Sequence, residues 1–287
     1  TGDTSPAPGR AKCHQFAVVS ARRPVALTIA GTDSGGGAGV AADLKTFEAH
    51  GVWGTAAITA VTAQNTLGVQ AFDPVTPELV RAQIASVAAD LGVDAAKTGM
   101  LASVEVVEVV ATTVAQLGVG PLVVDPVLVS KHGDRLLAAD AVEAIRTLLL
   151  PLATVVTPNL PEAEALVGFP VHDRESMEAA ARALLELGPE VVLVKGGHLA
   201  GDRSPDCLLT ADAPDSPIWL EGPRLPGRHT HGTGCVLSAA IAAELARGMD
   251  PADACVAAKR FVERAIAAGV PLGSGVGPVD PGWDRSH

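Results

Sequence analysis

Aromatic residues and clustered basic charge are both scarce in this sequence of 287 residues. It contains no tyrosine, five phenylalanines and three tryptophans, although 48% of its residues are hydrophobic. Its formal net charge is −11, and adjacent basic residues occur only as short runs such as Arg22-Arg23. Nucleic acids and anionic membranes are held by clustered Lys and Arg, so the sequence predicts neither as a partner.

Cysteine pairs and long apolar runs are also lacking. The four cysteines are Cys13, Cys207, Cys235 and Cys255, and no two form a CxxC motif, which argues against a zinc site or a disulfide framework. No run of about 18 apolar residues predicts a membrane span. The apolar run at 16–19 is too short for a signal-peptide core. We therefore expect a cytoplasmic protein.

The remaining sequence predicts an α/β fold. Residues 1–23, rich in Pro, Gly, Ser and Thr, predict a flexible tail, and residues 24–287 a single domain. Short apolar runs alternate with amphipathic stretches, which is typical of a mostly parallel sheet covered by helices on both faces. The predicted strands are 25–30, 54–63, one near 93–99, 121–125, 153–158 and 190–195, with a hairpin or edge strands at 206–211 and 217–221. The predicted helices are 38–50, 77–91, 103–117, 139–150, 161–167, 174–187, 234–247 and 251–268.

Ligands of such sheets bind beyond the carboxyl ends of the strands, so the loops that follow strands are the candidate binding segments. The loop 30–43 contains Gly37-x-Gly39-x-x-Ala42, a loose dinucleotide fingerprint, but residues 49–71 lack the acid that would hold the ribose of NAD. No P-loop motif is present. Either the loop simply turns a strand into a helix, or its flanking Asp33 and Asp43 hold a polar small molecule.

Later loops carry one or two polar or ring-packing groups each. An amide such as Gln64 suits the edge of a heterocyclic base, and Met100 suits the face of a flat ring, although either is also compatible with surface or core roles. Lys195, before two glycines, is placed to reach a phosphate. Glu162 falls in the first turn of a helix, where the macrodipole alone would favour it. Asp125 and Asn159 likewise follow strands.

The segment HTHGTGC (229–235) is followed by an almost wholly apolar helix. Gly232 and Gly234 let the backbone approach a ligand closely. The N–H groups of the helix start would then face that ligand together with the positive end of the helix dipole. Such a rigid set of donors suits an oxyanion or a transferred phosphoryl group.

Taken together, the stretches ALTIAGTDSGGGAGVAADLKTFEAHG, AQNTLGV, KTGML, SKHGDRLL, TPNLPEAEALVG, KGGH and THGTGC resemble the hydroxymethylpyrimidine and phosphomethylpyrimidine kinases of thiamine biosynthesis. The resemblance covers most of residues 26–279. It implies a three-layer α/β/α ribokinase-like fold and two successive phosphorylations by ATP, first of the hydroxymethyl group and then of the monophosphate. It also implies Mg²⁺ as cofactor and a homodimer.

The resemblance further implies roles for single residues. Gly31, Asp43, Gln64 and Met100 would bind the pyrimidine, as would Thr62, where the family commonly has an aliphatic residue. The turn of Gly232, Thr233, Gly234 and Cys235 would form the catalytic anion hole. Lys195, Asp125 and Thr233 would serve ATP, and Asn159 and Glu162 would help to arrange magnesium. His229 departs from the family, which has Asn there.

Cys235 leaves two interpretations open. A helix N-terminus can lower the pKa of a thiol, so Cys235 could act as base for the alcohol in the first step, or it could be an inert helix-start residue. The second acceptor, a phosphate, needs no base and would be repelled by a permanently charged residue.

Three other functions compete with this interpretation. A pyridoxal-type vitamin kinase shares the implied fold, and a thiol hydrolase could pair Cys235 with His229 or His231. The third is a sensor that binds the pyrimidine without turnover. Sugar kinases of this superfamily carry Asp where Cys235 stands.

Overall fold

The computed structural model describes residues 1–2, 22–128, 139–225 and 227–284. Most of the predicted tail (1–23) and the whole SKHGDRLL stretch (130–137) lie outside the described residues. The division into a tail (1–23) and one domain (24–287) therefore stays a prediction.

Within the described residues, eight strands form one central sheet, and two more form a separate ribbon. The strands are β1 (Val25–Ala30), β2 (Trp53–Ile58), β3 (Ala60–Asn65), β4 (Gly68–Pro74), β5 (Ala95–Thr98), β6 (Leu122–Val124), β7 (Val155–Val156), β8 (Val191–Val194), β9 (Asp206–Thr210) and β10 (Ile218–Leu220). The strand order in the central sheet is β10-β9-β8-β7-β6-β5-β1-β2. The six strands from β8 to β2 are parallel, and β9 and β10 form an antiparallel hairpin at the β8 edge.

Helices cover both faces of this sheet. They are α1 (Gly39–Ala49), α2 (Pro77–Asp90), α3 (Val104–Leu117), α4 (Ala139–Ala144), α5 (Leu160–Val167), α6 (Arg174–Leu185), α7 (Thr233–Ala246) and α8 (Pro251–Ala267). Helices α1, α7 and α8 share one apolar core with the sheet, and α2 to α6 share the other. The predicted three-layer α/β/α architecture with a mostly parallel sheet is confirmed.

The prediction of one strand over residues 54–63 is wrong. The chain leaves the central sheet at Thr59, and β3 pairs instead with β4, a strand that the sequence analysis did not predict. The run GTAAITAVTA contains no residue that breaks a strand, so nothing local marks the change of partner. The end of β2 coincides instead with the end of its partner: Ile58 pairs with Ala30, which is the last residue of β1.

The predicted helix 139–150 is also irregular. Helix α4 ends at Ala144, a π-helical turn follows over Ile145–Leu149, and a short 3₁₀ turn spans Leu150–Leu152. Pro151 lacks the N–H group that a continuing α-helix needs, so the regular hydrogen-bond pattern stops before it.

Helix α7 fixes the position of the predicted anion-binding turn. Every residue from 236 to 245 is buried, because all of them except Glu244 have apolar or small side chains. A helix enclosed in this way cannot shift easily along its axis, so its first turn is held rigidly at the edge of the sheet.

Candidate functional site

A cavity of about 800 Å³ lies at the carboxyl ends of the parallel strands. The strand order brings the predicted loops to it in sequence: Gly31 follows β1, Met100 follows β5, Asp125 follows β6, Asn159 follows β7 and Lys195 follows β8. All five line the cavity, together with Gln64, Glu162 and the turn Gly232–Cys235. Most of the site residues predicted from the sequence therefore line this one cavity.

An ion pair between Lys195 and Asp125 forms the charged part of the cavity. Lys195 Nζ lies 2.9 Å from Asp125 Oδ1 and 3.9 Å from a carboxylate oxygen of Glu162. Burial alone would raise the pKa of Asp125, but the ammonium groups of Lys195 and Lys97 bring it below its ordinary value. Burial raises the pKa of Glu162 to about 7, because the charge of Lys195 only partly offsets it. The site thus holds one carboxylate with a lowered pKa, Asp125, and one with a pKa near neutral, Glu162.

The start of α7 faces this ion pair. Gly232 has φ +81°, and a Cβ there would overlap the carbonyl oxygen of Gly37, so only glycine fits. No side chain caps the helix, and its first N–H groups are free of intrahelical acceptors. A Cβ on Gly234 would lie 3.5 Å from Lys195 Nζ and 3.7 Å from Asp125 Oδ2. The Lys195 ammonium, the Asp125 carboxylate and the backbone donors of the helix start therefore converge beside Gly234.

Burial has the largest effect on the protonation state of Cys235. The sequence left open whether the helix N-terminus lowers the pKa of this thiol so that it acts as a base, or whether the residue is inert. Burial raises that pKa to about 11, although nearby Lys97 and a hydrogen bond from the Gly39 backbone act in the opposite direction. At neutral pH the thiol is protonated and uncharged, which removes support for its role as a base.

Gly31, Met100 and Gln64 form the apolar and amide part of the cavity. A Cβ on Gly31 would stand only 2.5 Å from the terminal methyl carbon of Met100, so the glycine makes room for that side chain. The Gly31 N–H donates to the Met100 carbonyl at 3.1 Å, which ties the two loops together. This wall suits a flat ring, with Gln64 offering polar groups to its edge.

Two residues predicted to bind the pyrimidine do not line the cavity. Asp43 is fully buried, accepts a 2.6 Å hydrogen bond from Thr28 and pairs with Lys97 at 3.1 Å. Thr62 donates its hydroxyl to the carbonyl of Thr32, and its backbone N–H to the Thr32 hydroxyl. The polar groups of both residues are therefore already bonded to other residues of the protein, and their contacts hold the loops that form the cavity wall.

Lys97 is a residue of the cavity wall that the sequence analysis missed. Its side chain is fully buried, and burial would lower its pKa. The Asp43 carboxylate overrides that effect, raises the pKa above its ordinary value and holds Lys97 as an ammonium. A lysine at the end of a buried, otherwise apolar strand was the signal available in the sequence.

The histidines near Cys235 have other partners. His231 contacts Asp33 at 2.9 Å, and His229 accepts a hydrogen bond from the Gly277 N–H at 3.2 Å. Neither contact directs a ring nitrogen at the thiol. The arrangement gives no support to a thiol hydrolase, and it shows that His229, the departure from the family pattern, fastens the C-terminal segment.

Asn159 and Glu162 form a reciprocal capping box at the start of α5. Asn159 Oδ1 accepts the Glu162 N–H at 2.9 Å, and Glu162 Oε2 accepts the Asn159 N–H at 2.8 Å. The local explanation for Glu162 therefore holds, while its position in the cavity wall leaves a further role open. Among the described residues, no group of three or more His, Cys, Asp or Glu is arranged to hold a metal by itself. Nor does any helix in those parts of the chain have the length and apolar character to cross a membrane.

An uncapped, half-buried helix start beside a Lys–Asp pair, in this three-layer fold, is typical of a kinase of the ribokinase-like class. The phosphomethylpyrimidine kinase family model matches residues 33–280, and the chain belongs to that family. It is 55% identical to the hydroxymethylpyrimidine/phosphomethylpyrimidine kinase of Streptomyces coelicolor over 91% of this chain and 95% of the relative. It is 51% identical to that of Mycobacterium tuberculosis over 90% and 94%.

Solved structures show the same fold. A Bacillus subtilis pyridoxal kinase in complex with ADP matches with a TM-score of 0.84 and 39% identity, over 91% of this chain and 98% of that one. A phosphomethylpyrimidine kinase from Clostridium difficile matches with a TM-score of 0.74 and 39% identity, over 85% and 100%.

Proposed function

We propose that this kinase uses ATP to phosphorylate 4-amino-5-hydroxymethyl-2-methylpyrimidine and then its monophosphate to the diphosphate, in thiamine biosynthesis. The relatives from Streptomyces coelicolor and Mycobacterium tuberculosis are named for both activities, as hydroxymethylpyrimidine and phosphomethylpyrimidine kinases. The observation that carries the proposal is the shared cavity, in which a wall suited to a flat ring and an uncapped helix start lie side by side.

Different residues of the cavity bind the pyrimidine, the transferred phosphoryl group and ATP. Gly31, Met100 and Gln64 hold the pyrimidine, so that its substituent points toward α7. The N–H groups of the Gly232–Cys235 turn stabilise the charge of the transferred phosphoryl group, and Lys195 neutralises it further. Lys195, Asp125 and Thr233 position ATP for in-line transfer. This arrangement accelerates the reaction mainly through positioning and charge.

Magnesium is the implied cofactor, and the residues present fit it. Mg²⁺ is typically held by one or two carboxylates, several waters and the substrate phosphates, rather than by a cage of protein ligands. Asp125 and Glu162 supply such carboxylates, and Asn159 orients Glu162 through the capping box. Bound there, the ion would offset the negative charge of the phosphates.

The direct test is phosphorus NMR of the products after incubation with the pyrimidine, ATP and Mg²⁺. We expect the monophosphate first and the diphosphate later, with ADP formation that depends on the pyrimidine. A sensor without turnover would give no new phosphorus signal, and that result would overturn the proposal.

A pyridoxal-type kinase is the second candidate, because solved pyridoxal kinases match the fold closely. One such structure, from Staphylococcus aureus with AMP-PCP and pyridoxal, has a TM-score of 0.83 and 35% identity. The curated relatives named for the pyrimidine are more similar in sequence. Turnover of pyridoxal and of the pyrimidine at equal concentrations decides between them.

The same proposal includes a cytoplasmic homodimer. The thiols of Cys207, Cys235 and Cys255 are all free, which fits a reducing compartment. Three large apolar side chains of the β3–β4 ribbon and its turn, Val61, Leu67 and Phe72, are 55%, 62% and 46% exposed. Covering them in a dimer would remove apolar surface from water.

A further inference from the structure

Asp33 links the first glycine loop to the turn before α7. Its Oδ2 lies 2.9 Å from Nε2 of His231, the residue that directly precedes Gly232. The same carboxylate accepts the backbone N–H groups of Gly35, Gly37 and Ala38 at 2.8, 3.1 and 2.8 Å. The carboxylate is therefore held in place by the backbone of its own loop, and it can still accept one more hydrogen bond, from His231.

This contact determines where His231 carries its proton. Burial alone would raise the pKa of Asp33, but the His231 contact and the loop N–H groups bring it below its ordinary value. An ionised carboxylate can only accept hydrogen bonds. Nε2 of His231 must therefore be the protonated nitrogen, whether the ring as a whole is neutral or charged.

The same Nε2–H, whose first acceptor is Asp33, also faces the Gln64 amide and favours one of its two orientations. The amide nitrogen is placed 3.4 Å from this Nε2. The oxygen and nitrogen ends of an amide have almost the same shape, so the hydrogen-bond partners decide which end faces where. An NH2 group facing Nε2–H would set donor against donor, whereas the amide oxygen can share the proton as its second acceptor. The NH2 group of Gln64 then faces the cavity.

The His231 ring is held firmly enough to impose this choice. A Cβ on Gly37 would come within 2.7 Å of the ring carbon Cδ2, so the glycine backbone packs directly against the ring. The His231 backbone donates to the Gly277 carbonyl and accepts from the Val279 N–H, each at 3.1 Å. Packing and backbone pairing together leave the ring little freedom.

We propose that Asp33 and His231 are positioning residues that orient the Gln64 amide, so that its NH2 group donates to an acceptor nitrogen of the heterocyclic substrate. The inference rests on the proposed function for the identity of that heterocycle. It predicts that an unprotonated ring nitrogen of the pyrimidine, not its exocyclic amino group, faces Gln64. Two donors facing each other would otherwise leave a buried polar group unpaired.

Binding of the hydroxymethylpyrimidine without ATP, measured by calorimetry, tests the inference separately from catalysis. His231→Met removes the donor and should weaken binding about tenfold, the effect expected for roughly one hydrogen bond. His231→Gln can donate an N–H from nearly the Nε2 position and should stay within about threefold of the parent. The KM for ATP should be unchanged in both variants, and their melting temperatures report on folding.

A double-mutant cycle with Gln64→Ala completes the test. If His231 acts through Gln64, His231→Met should cost little further affinity once Gln64 is Ala. Equal losses in the Met and Gln variants, or full additivity with Gln64→Ala, would overturn the inference. Phosphorus NMR of the parent enzyme tests the proposed function independently. A failure of the positioning inference can therefore be distinguished from a failure of the proposed function.

Discussion

At the scale of single residues, we propose that the protonated thiol of Cys235 makes the site compatible with two different acceptors. A neutral side chain beside the start of α7 accepts an alcohol without a charge cost and does not repel a phosphate dianion. The pKa of about 11 shows that this neutrality is maintained by burial across the physiological pH range. We therefore expect the thiol to contribute by its lack of charge and the N–H groups of the turn to bind the phosphoryl group.

Replacing Cys235 by Asp tests that view. Two like unit charges at about 4 Å repel by about 4 kcal/mol at an effective dielectric of about 20. Cys235→Asp should therefore reduce kcat/KM for the monophosphate far more than for the alcohol, with each half-reaction assayed separately. Cys235→Ser, neutral and of similar size, is the control and should retain both steps. Equal losses of both steps in the Asp variant would contradict the prediction.

The buried pair of Lys97 and Asp43 belongs to the same scale. Both side chains are fully excluded from solvent, with Nζ and Oδ2 3.1 Å apart. Lys97→Met would leave the Asp43 carboxylate buried and unpaired, which typically costs about 3–5 kcal/mol in the free energy of unfolding. Urea denaturation measures this loss.

The matched control for Lys97 is the double variant Lys97→Met with Asp43→Asn. It removes both charges and should recover a large part of the lost stability, since the uncompensated carboxylate is gone. A double variant no more stable than Lys97→Met alone would show that the pair does not account for the effect.

At the scale of elements, two glycines of one turn serve different purposes. Gly232 is required for the backbone conformation, since it has a positive φ and contacts Gly37. A Cβ on Gly234 would fit without a clash, 3.5 Å from Lys195 Nζ and 3.7 Å from Asp125 Oδ2. The first glycine shapes the helix start, and we propose that the second leaves room for the phosphoryl group.

Two alanine variants separate these purposes. Gly232→Ala should lower the free energy of unfolding by about 1–2 kcal/mol or more, because alanine disfavours the left-handed conformation and its Cβ collides with Gly37. Gly234→Ala should leave stability unchanged or raise it by up to about 1 kcal/mol, because alanine favours a helix. It should nevertheless reduce kcat at least about tenfold. Thermal unfolding and steady-state kinetics of both variants check this; a fully active Gly234→Ala enzyme would contradict it.

The β3–β4 ribbon is the element that local sequence could least foretell. Its first strand continues the apolar run of β2 with only Thr59 between them. Where β3 finds its partner depends on β4, which lies across a turn and is largely exposed. The pairing is therefore decided by the geometry at the edge of the sheet, where β2 is the last strand among the described residues.

At the scale of the whole molecule, that ribbon extends apolar side chains into solvent. If it forms the proposed dimer interface, Val61→Lys should shift the protein to a monomer, because a charge would have to be buried. Light scattering at several concentrations measures the mass. Leu117→Lys, at the similarly exposed end of α3, is the control and should leave the mass unchanged. A Val61→Lys protein that stays dimeric would place the interface elsewhere.

The sequence by itself determined the order of the elements outside the β3–β4 ribbon and the residue types at each strand end. Apolar periodicity depends on local side chains, and glycine, lysine and carboxylate motifs directly after strands are read without knowing which strands are neighbours. The resemblance carried by those motifs then predicted the family. Most of the residues so identified, from Gly31 to Cys235, do line one cavity.

Only the tertiary structure decided which polar groups face that cavity and which are used internally. The polar groups of Asp43 and Thr62 bind partners from distant parts of the chain, and one carboxylate oxygen of Glu162 caps a helix. Lys97, which was not predicted, lines the cavity wall. The pKa of Cys235 was likewise set by burial rather than by its position at a helix start. Burial and long-range pairing depend on how strands and helices stack, and no local pattern contains that information.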